Sequence, residues 1–113
     1  MIQPPKYRKR SDEFLNDRLR KALNTLNLRD WMVELFTDDD IPERFFDDDA
    51  GDSPAMVVHE SQYKIARIWV SPGRAKRDNV DPLFYLLHEV GHIWQDNHTE
   101  EFKCNTIASL LLK

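Results

Sequence analysis

The stretch that decides the fold of this chain is DPLFYLLHEVGH, residues 81–92. Asp81 followed by Pro82 predicts a helix start, because an aspartate side chain can cap the first turn and proline suits the first helical position. Apolar residues then recur at intervals of three and four, which predicts a helix that ends near residues 96–97. The buried stripe of this helix is expected to comprise Leu83, Leu86, Leu87, Val90 and Trp94.

Two histidines and a glutamate lie within this predicted helix. Side chains four residues apart lie one above the other on a helix, so His88 and His92 present two imidazoles to one point, as a tetrahedral zinc ion requires. Glu89 is close enough to take a proton from a water molecule that the metal activates. Glycine inside a helix lowers the stability of the helix by about 1 kcal/mol relative to alanine. Gly91 therefore indicates that another group lies very close to the helix at this position. The pattern predicts a zinc site with Glu89 as the catalytic base. The alternative is a pair of surface histidines on an ordinary helix.

A catalytic zinc ion needs a third protein ligand, and two candidates lie downstream. His98 has the spacing of the metzincin pattern HExxHxxGxxH, although Gln95 stands where that pattern has glycine. Glu101 lies on a last helix that we predict over residues 98–112. Asn105 lies one turn further along the same face and could hydrogen-bond a ligating imidazole. We favour Glu101 as the third ligand and keep His98 as the alternative.

The rest of the chain predicts a small α+β domain. A serine cap followed by a leucine stripe predicts a helix over 12–27. Short β-branched and aromatic runs predict strands over 31–36, 56–59 and 64–70. The acidic stretch 37–54 is expected to be a loop. Pro72 and Gly73 are expected to end the last strand, and a basic connection from Arg74 to Arg77 to lead to the next helix.

Composition limits the possible functions. The chain has 113 residues, enough for one domain, and a net charge of −4, which argues against a general binder of polyanions. The single cysteine, Cys104, excludes an internal disulfide framework and a cysteine-rich zinc site. No apolar run suits a signal peptide or a membrane span, so we expect a cytoplasmic protein. Residues 1–10 are expected to form a flexible basic arm, and residues 11–113 the single domain.

Two segments together resemble the ImmA/IrrE-type metallopeptidases, which are small gluzincin-like zincins. They are LLHEVGH, residues 86–92, and EEFKCNTIASLL, residues 100–111. The family pattern is HExGH, followed by a helix with Glu-x-x-x-Asn/Asp and then x-x-Ala-x-Leu-Leu. The resemblance implies His88, His92 and Glu101 as zinc ligands, Glu89 as general base and Asn105 as a residue that supports a ligand. The spacer between His92 and Glu101 is shorter than in that family, so His98 stays a candidate.

Further residues are candidates for contacts with a substrate. Tyr85 lies one turn before His88 and could donate a hydrogen bond to an oxyanion, as zincins require of some donor. The alternative is a tyrosine that packs at the edge of the core with its hydroxyl in water. In zincins an edge strand above the active-site helix aligns an extended substrate, and by resemblance we assign that strand to residues 65–70. Its substrate-facing residues would be Ile65, Arg67 and Trp69.

The sequence thus predicts a minimal zincin that hydrolyses a peptide bond in a specific intracellular protein with a zinc cofactor. A different class remains open: a non-catalytic phage or mobile-element module that keeps the fold and the metal but acts by binding a protein. A small-molecule hydrolase is a further alternative. The intact Glu89 favours an enzyme, because holding a metal does not require it. We expect a protein substrate or protein partner, and neither a membrane nor a nucleic acid.

Overall fold

The structure is a computed structural model that describes residues 4–42, 51–95 and 101–112, with the side chains of residues 101–105 excepted. Its elements are α1 (Asp12–Thr25), β1 (Met32–Phe36), β2 (Ala55–Glu60), β3 (Ile65–Val70), α2 (Pro72–Asp78), α3 (Pro82–Gln95) and α4 (Glu101–Leu111). In this described part, four helices accompany one three-stranded sheet, which confirms the α+β class. None of the helices described is both long enough and apolar enough to cross a membrane.

Helix α1 begins where its sequence predicts. The Ser11 hydroxyl accepts a hydrogen bond from the Phe14 amide at 3.1 Å, which satisfies one of the amides left without a partner at the start of the helix. The buried face of α1 comprises Leu15, Leu19, Ala22 and Leu23. This stripe packs against the sheet and α3 in one apolar core.

The sheet has the order β1-β3-β2, with β1 parallel and β2 antiparallel to β3. β3 therefore lies in the middle, and its backbone groups are bonded on both sides. The assignment of residues 65–70 to a substrate-binding edge is wrong for this reason. Side chains alternate between the two faces of a strand. Ile65 and Arg67 are exposed on the face away from α3, and Trp69 is fully buried on that same face.

A short helix, α2, occupies the basic connection that was expected between the last strand and the next helix. The Ser71 hydroxyl accepts from the Arg74 amide at 3.1 Å, and Pro72 takes the first helical position. The helix ends at Asn79, which adopts the left-handed conformation with φ of 55°. The serine-proline pair is the same kind of start signal as Asp81-Pro82, so the sequence did contain the information.

The basic N-terminal segment is bonded to the start of α3. The Asp81 amide donates to the Pro5 carbonyl at 3.0 Å. Arg10 donates two hydrogen bonds to the Asp81 carboxylate, at 3.2 Å from Nε and 2.7 Å from Nη2. The part of the expected flexible arm from residue 5 to residue 10 is therefore attached to the helix that carries the histidines.

Candidate metal centre

Helix α3 is fixed at its start and along its apolar face. The Leu83 amide donates to Asp81 Oδ1 at 3.0 Å, which is the predicted N-cap. The predicted stripe is buried except for Trp94, which is 51% exposed. Ile93, three residues after Val90, fills the last turn of the buried stripe instead. This packing sets the orientation of α3 on the core, and with it the side of the helix that carries the histidines.

His88 and His92 bring their Nε2 atoms to 3.2 Å from each other. Their rings are 4.9 Å apart between centroids and inclined at 76°, so they converge edge to face. Two imidazole nitrogens on a tetrahedral zinc ion, each about 2.05 Å from the metal, would be about 3.3 Å apart. The observed separation therefore fits two ligands on one metal ion. The inclination of the rings allows both nitrogens to point to the same place.

Glu89 completes a cluster in which one ligand atom from each of the three side chains lies within 4.8 Å of the others. The relative exposure is 9% for His88, 7% for Glu89 and 3% for His92. This burial excludes the alternative of two surface histidines. Two imidazoles and a carboxylate in a region largely shielded from water form a donor set that could hold a metal ion, and the ligand types suit zinc.

A cleft of about 330 Å³ lies beside this cluster. It is lined by Ser53, Pro54, Ala55, Phe84, Tyr85, His88 and Glu89. The strand that borders the site is thus β2. The sequence analysis did not identify the segment 53–55, because a hairpin pattern does not tell which of its two strands lies at the edge of the sheet.

The edge of β2 presents backbone groups to its open side. The Ser71 amide donates to the Pro54 carbonyl at 2.8 Å, and the register pairs Ala55 with Val70. Because the direction of backbone bonding alternates along an antiparallel strand, the N–H and C=O groups of Ala55 and Val57 point away from β3. Within the described residues these groups have no hydrogen-bond partner.

Tyr85 lines the cleft, and its hydroxyl group has a protein partner. The hydroxyl donates to Asp78 Oδ2 at 3.2 Å, and Asp78 is also bonded to Arg77 at 2.9 Å. Burial, and next the negative charge of Asp78, raise the pKa of Tyr85 to about 12. The hydrogen bond from Arg77 lowers the pKa of Asp78, so this carboxylate stays charged. In this structure the hydroxyl proton is directed to Asp78, and the role of Tyr85 as a donor to an oxyanion stays a prediction.

The remaining candidate residues lie wholly or partly outside the described part of the chain. His98 lies outside the described residues. Glu101 and Asn105 lie on α4, whose backbone is described, but their side chains are outside the described part. Ala108 of α4 is fully buried in the core that also contains Leu87. The choice of third ligand stays a prediction.

Comparison of the chain with protein-family models, with curated proteins and with solved structures gives no match. The features of the site that favour a metal ion are the separation of the two imidazole nitrogens and the burial of Glu89 beside them.

Proposed function

We propose that this chain is a zinc metallopeptidase with a minimal zincin fold, which cleaves a peptide bond in a specific protein of the cytoplasm. The observation that carries the proposal is the convergence of His88 and His92, with Nε2 atoms 3.2 Å apart, beside the buried Glu89. The resemblance of residues 86–92 and 100–111 to ImmA/IrrE-type peptidases supports the same function.

His88 and His92 would hold the metal through Nε2, with Glu101 as third ligand and His98 as the alternative. Asn105 would orient one of the ligating imidazoles by a hydrogen bond. A zinc ion at this position would lower the pKa of a water molecule towards neutrality and polarise the substrate carbonyl. Three protein ligands would leave one position for a water molecule, as catalytic zinc sites require.

Glu89 would act as the proton carrier of the reaction. Its carboxylate lines the cleft and lies beside both histidines. It would accept a proton as the water oxygen attacks the carbonyl carbon. It would then deliver that proton to the amide nitrogen as the C–N bond breaks, so that an amine leaves.

The substrate would lie along β2. The outward N–H and C=O groups of Ala55 and Val57 can bond an extended peptide as an added strand. Ala55 also lines the cleft, so a peptide on this edge would bring a carbonyl group close to Glu89. Tyr85 donates its proton to Asp78 and would offer its oxygen lone pairs to a substrate N–H group. The cleft of about 330 Å³ has room for only a small part of a substrate. This limited space restricts the substrates that fit and so favours narrow specificity.

The test uses Glu89→Gln, which keeps the shape of the side chain and removes its basicity. Wild-type and variant protein, loaded with equal zinc, are incubated with a mixture of peptides from a bacterial proteome, and new peptide termini are identified by mass spectrometry. We expect new termini with a shared sequence preference in the wild-type reaction only.

Equal cleavage by Glu89→Gln would contradict the proposed role of the acid. A fully zinc-loaded wild-type protein that produces no new termini would instead favour the non-catalytic binding module. The zinc content of both proteins is measured in the same samples, so that loss of metal is not mistaken for loss of the base.

A further inference from the structure

We propose that the edge of β1 is a second binding site, which takes an extended acidic peptide segment of a partner protein. β1 and β2 are the two opposite edges of the sheet, and the residues that line the groove beside β1 are separate from those of the cleft. The site lies apart from the metal centre, and its recognition does not depend on the proposed hydrolysis.

The first observation is the open backbone of β1. The Met32 amide donates to the Lys64 carbonyl at 2.9 Å, and the register pairs Met32 with Ile65. In a parallel pair the backbone groups of alternate residues face the partner strand. The N–H and C=O groups of Val33 and Leu35 therefore face away from β3, and no hydrogen bond to them occurs within the described residues.

The second observation is a groove of about 340 Å³ along this edge, between α1 and β1. Its polar lining comprises Asn16, Arg20, Asn24 and Arg29, and Trp31 and Val33 supply apolar surface. The described lining contains no carboxylate. A ligand in this groove would meet two guanidinium groups and two amides beside the open edge of the strand.

The third observation concerns the charges. Arg20 and Arg29 are exposed and form no ion pair with any residue that the structure describes. Arg10 and Arg77, in contrast, are bonded to aspartates. In a chain with a net charge of −4, two available arginines in one groove create a local site that is complementary to carboxylates.

The open backbone decides which acidic ligand fits. An extended peptide carries alternating N–H and C=O groups that match those of Val33 and Leu35, and its side chains on one face would reach the arginines. A nucleic acid has no such main-chain groups and could not pair with the open edge of the strand. The groove therefore suits a strand with acidic residues at alternate positions.

The test is a binding measurement by fluorescence anisotropy on the full chain. The probe is a fluorescein-labelled hexapeptide with alternating Glu and Val, and the comparison peptide replaces each Glu with Lys. We expect the Glu-Val peptide to bind and the Lys-Val peptide to bind at least tenfold more weakly. In a further Glu-Val peptide alternate amides are N-methylated, so that one edge of the peptide has no N–H groups to donate. This peptide should also bind at least tenfold more weakly.

Two double variants of the protein are compared. The first carries Arg20→Glu and Arg29→Glu in the groove. The control carries Lys9→Glu and Lys21→Glu, which change the charge equally outside the groove. We expect the arginine variant to bind the Glu-Val peptide more than tenfold more weakly than the control, because it loses two charge-assisted contacts. Glu89→Gln should bind it as the wild-type protein does.

Three results would overturn the proposal. The first is that the Glu-Val peptide does not bind, and the second is that the two double variants lose the same affinity for it. The third is that the N-methylated peptide binds as tightly as the unmodified Glu-Val peptide. Binding of an oligothymidine probe as tightly as the peptide would also overturn it, because the groove would then be a general polyanion site. The peptide comparisons test the chemistry of the ligand on the wild-type protein. The charge variants, whose folding is checked by circular dichroism, place the bound peptide at β1 and not at β2.

Discussion

Replacement of Asp81 is expected to destabilise the domain strongly, because its carboxylate has two roles. It caps α3 through the Leu83 amide and receives two hydrogen bonds from Arg10. The side chains of Arg10 and Asp81 are 16% and 3% exposed.

The magnitude follows from these contacts. Loss of an N-cap costs about 1 kcal/mol, and breaking a buried pair by removing one partner costs about 3–5 kcal/mol. Because the Arg10 guanidinium retains some access to water, we take the lower end. Asp81→Ala should therefore lower the free energy of unfolding by about 3–4 kcal/mol. Asp81→Asn keeps a capping oxygen and should lose about 1 kcal/mol less.

The assay is equilibrium unfolding in urea at pH 7 with chelator present, followed by circular dichroism. A loss of about 3 kcal/mol moves the midpoint by roughly 2 M for an m-value of about 1.5 kcal/mol/M. The cycle of Arg10→Gln and Asp81→Asn should give a coupling energy of about 2 kcal/mol. The exposed Lys64–Asp30 pair provides the control, and Lys64→Gln should unfold as the wild-type protein does.

The reasoning would be refuted if Asp81→Ala lost less than about 1 kcal/mol, the value of the cap alone. It would also be refuted if Arg10→Gln were no more damaging than Lys64→Gln. Either result would mean that the pair of Arg10 and Asp81 contributes nothing to the stability of the domain.

Four other predictions concern the site and the core. Asp78→Asn should lower the pKa of Tyr85 from about 12 by removing a negative charge, as NMR of the phenol carbon would show; an unchanged pKa would contradict the contact. In the wild-type protein the neutral phenol is favoured by the fold, so stability should fall as pH rises from about 10 towards 12. Glu101→Ala should weaken zinc binding at least tenfold and His98→Ala should not; the reverse result in a chelator competition would identify His98 as the third ligand. Trp69→Ala should cost about 3–5 kcal/mol in urea unfolding, since the ring is fully buried, and a loss below about 1 kcal/mol would refute its role in packing.

The parts of the fold that local chemistry decides could be predicted from the sequence. Asp81 and Pro82 define the start of α3 by themselves, and the spacing of His88 and His92 places both rings on one face. The same local reasoning should have found α2, because Ser71 caps it as Asp81 caps α3. The proline-glycine pair after the strand led instead to the expectation of a connection.

The parts that depend on distant contacts could not be predicted. The patterns of β-branched and aromatic residues predicted three strands. They did not predict that β3 lies between the other two, because this position depends on the parallel pairing of β3 with β1. The role of Tyr85 likewise depends on Asp78, which belongs to the helix that the sequence analysis missed. Trp94 fits the apolar period, and only the packing shows that Ile93 fills the last turn.

The most direct test of the central claim is the zinc content of the purified full chain after expression with zinc available. The comparison is with His88→Ala and His92→Ala, and with His59→Ala as a control histidine on β2. We expect about one zinc ion per chain in the wild-type protein and in His59→Ala, and almost none in the other two. Absence of zinc from the wild-type chain, or equal zinc content in all four proteins, would contradict the claim that His88 and His92 form a metal centre.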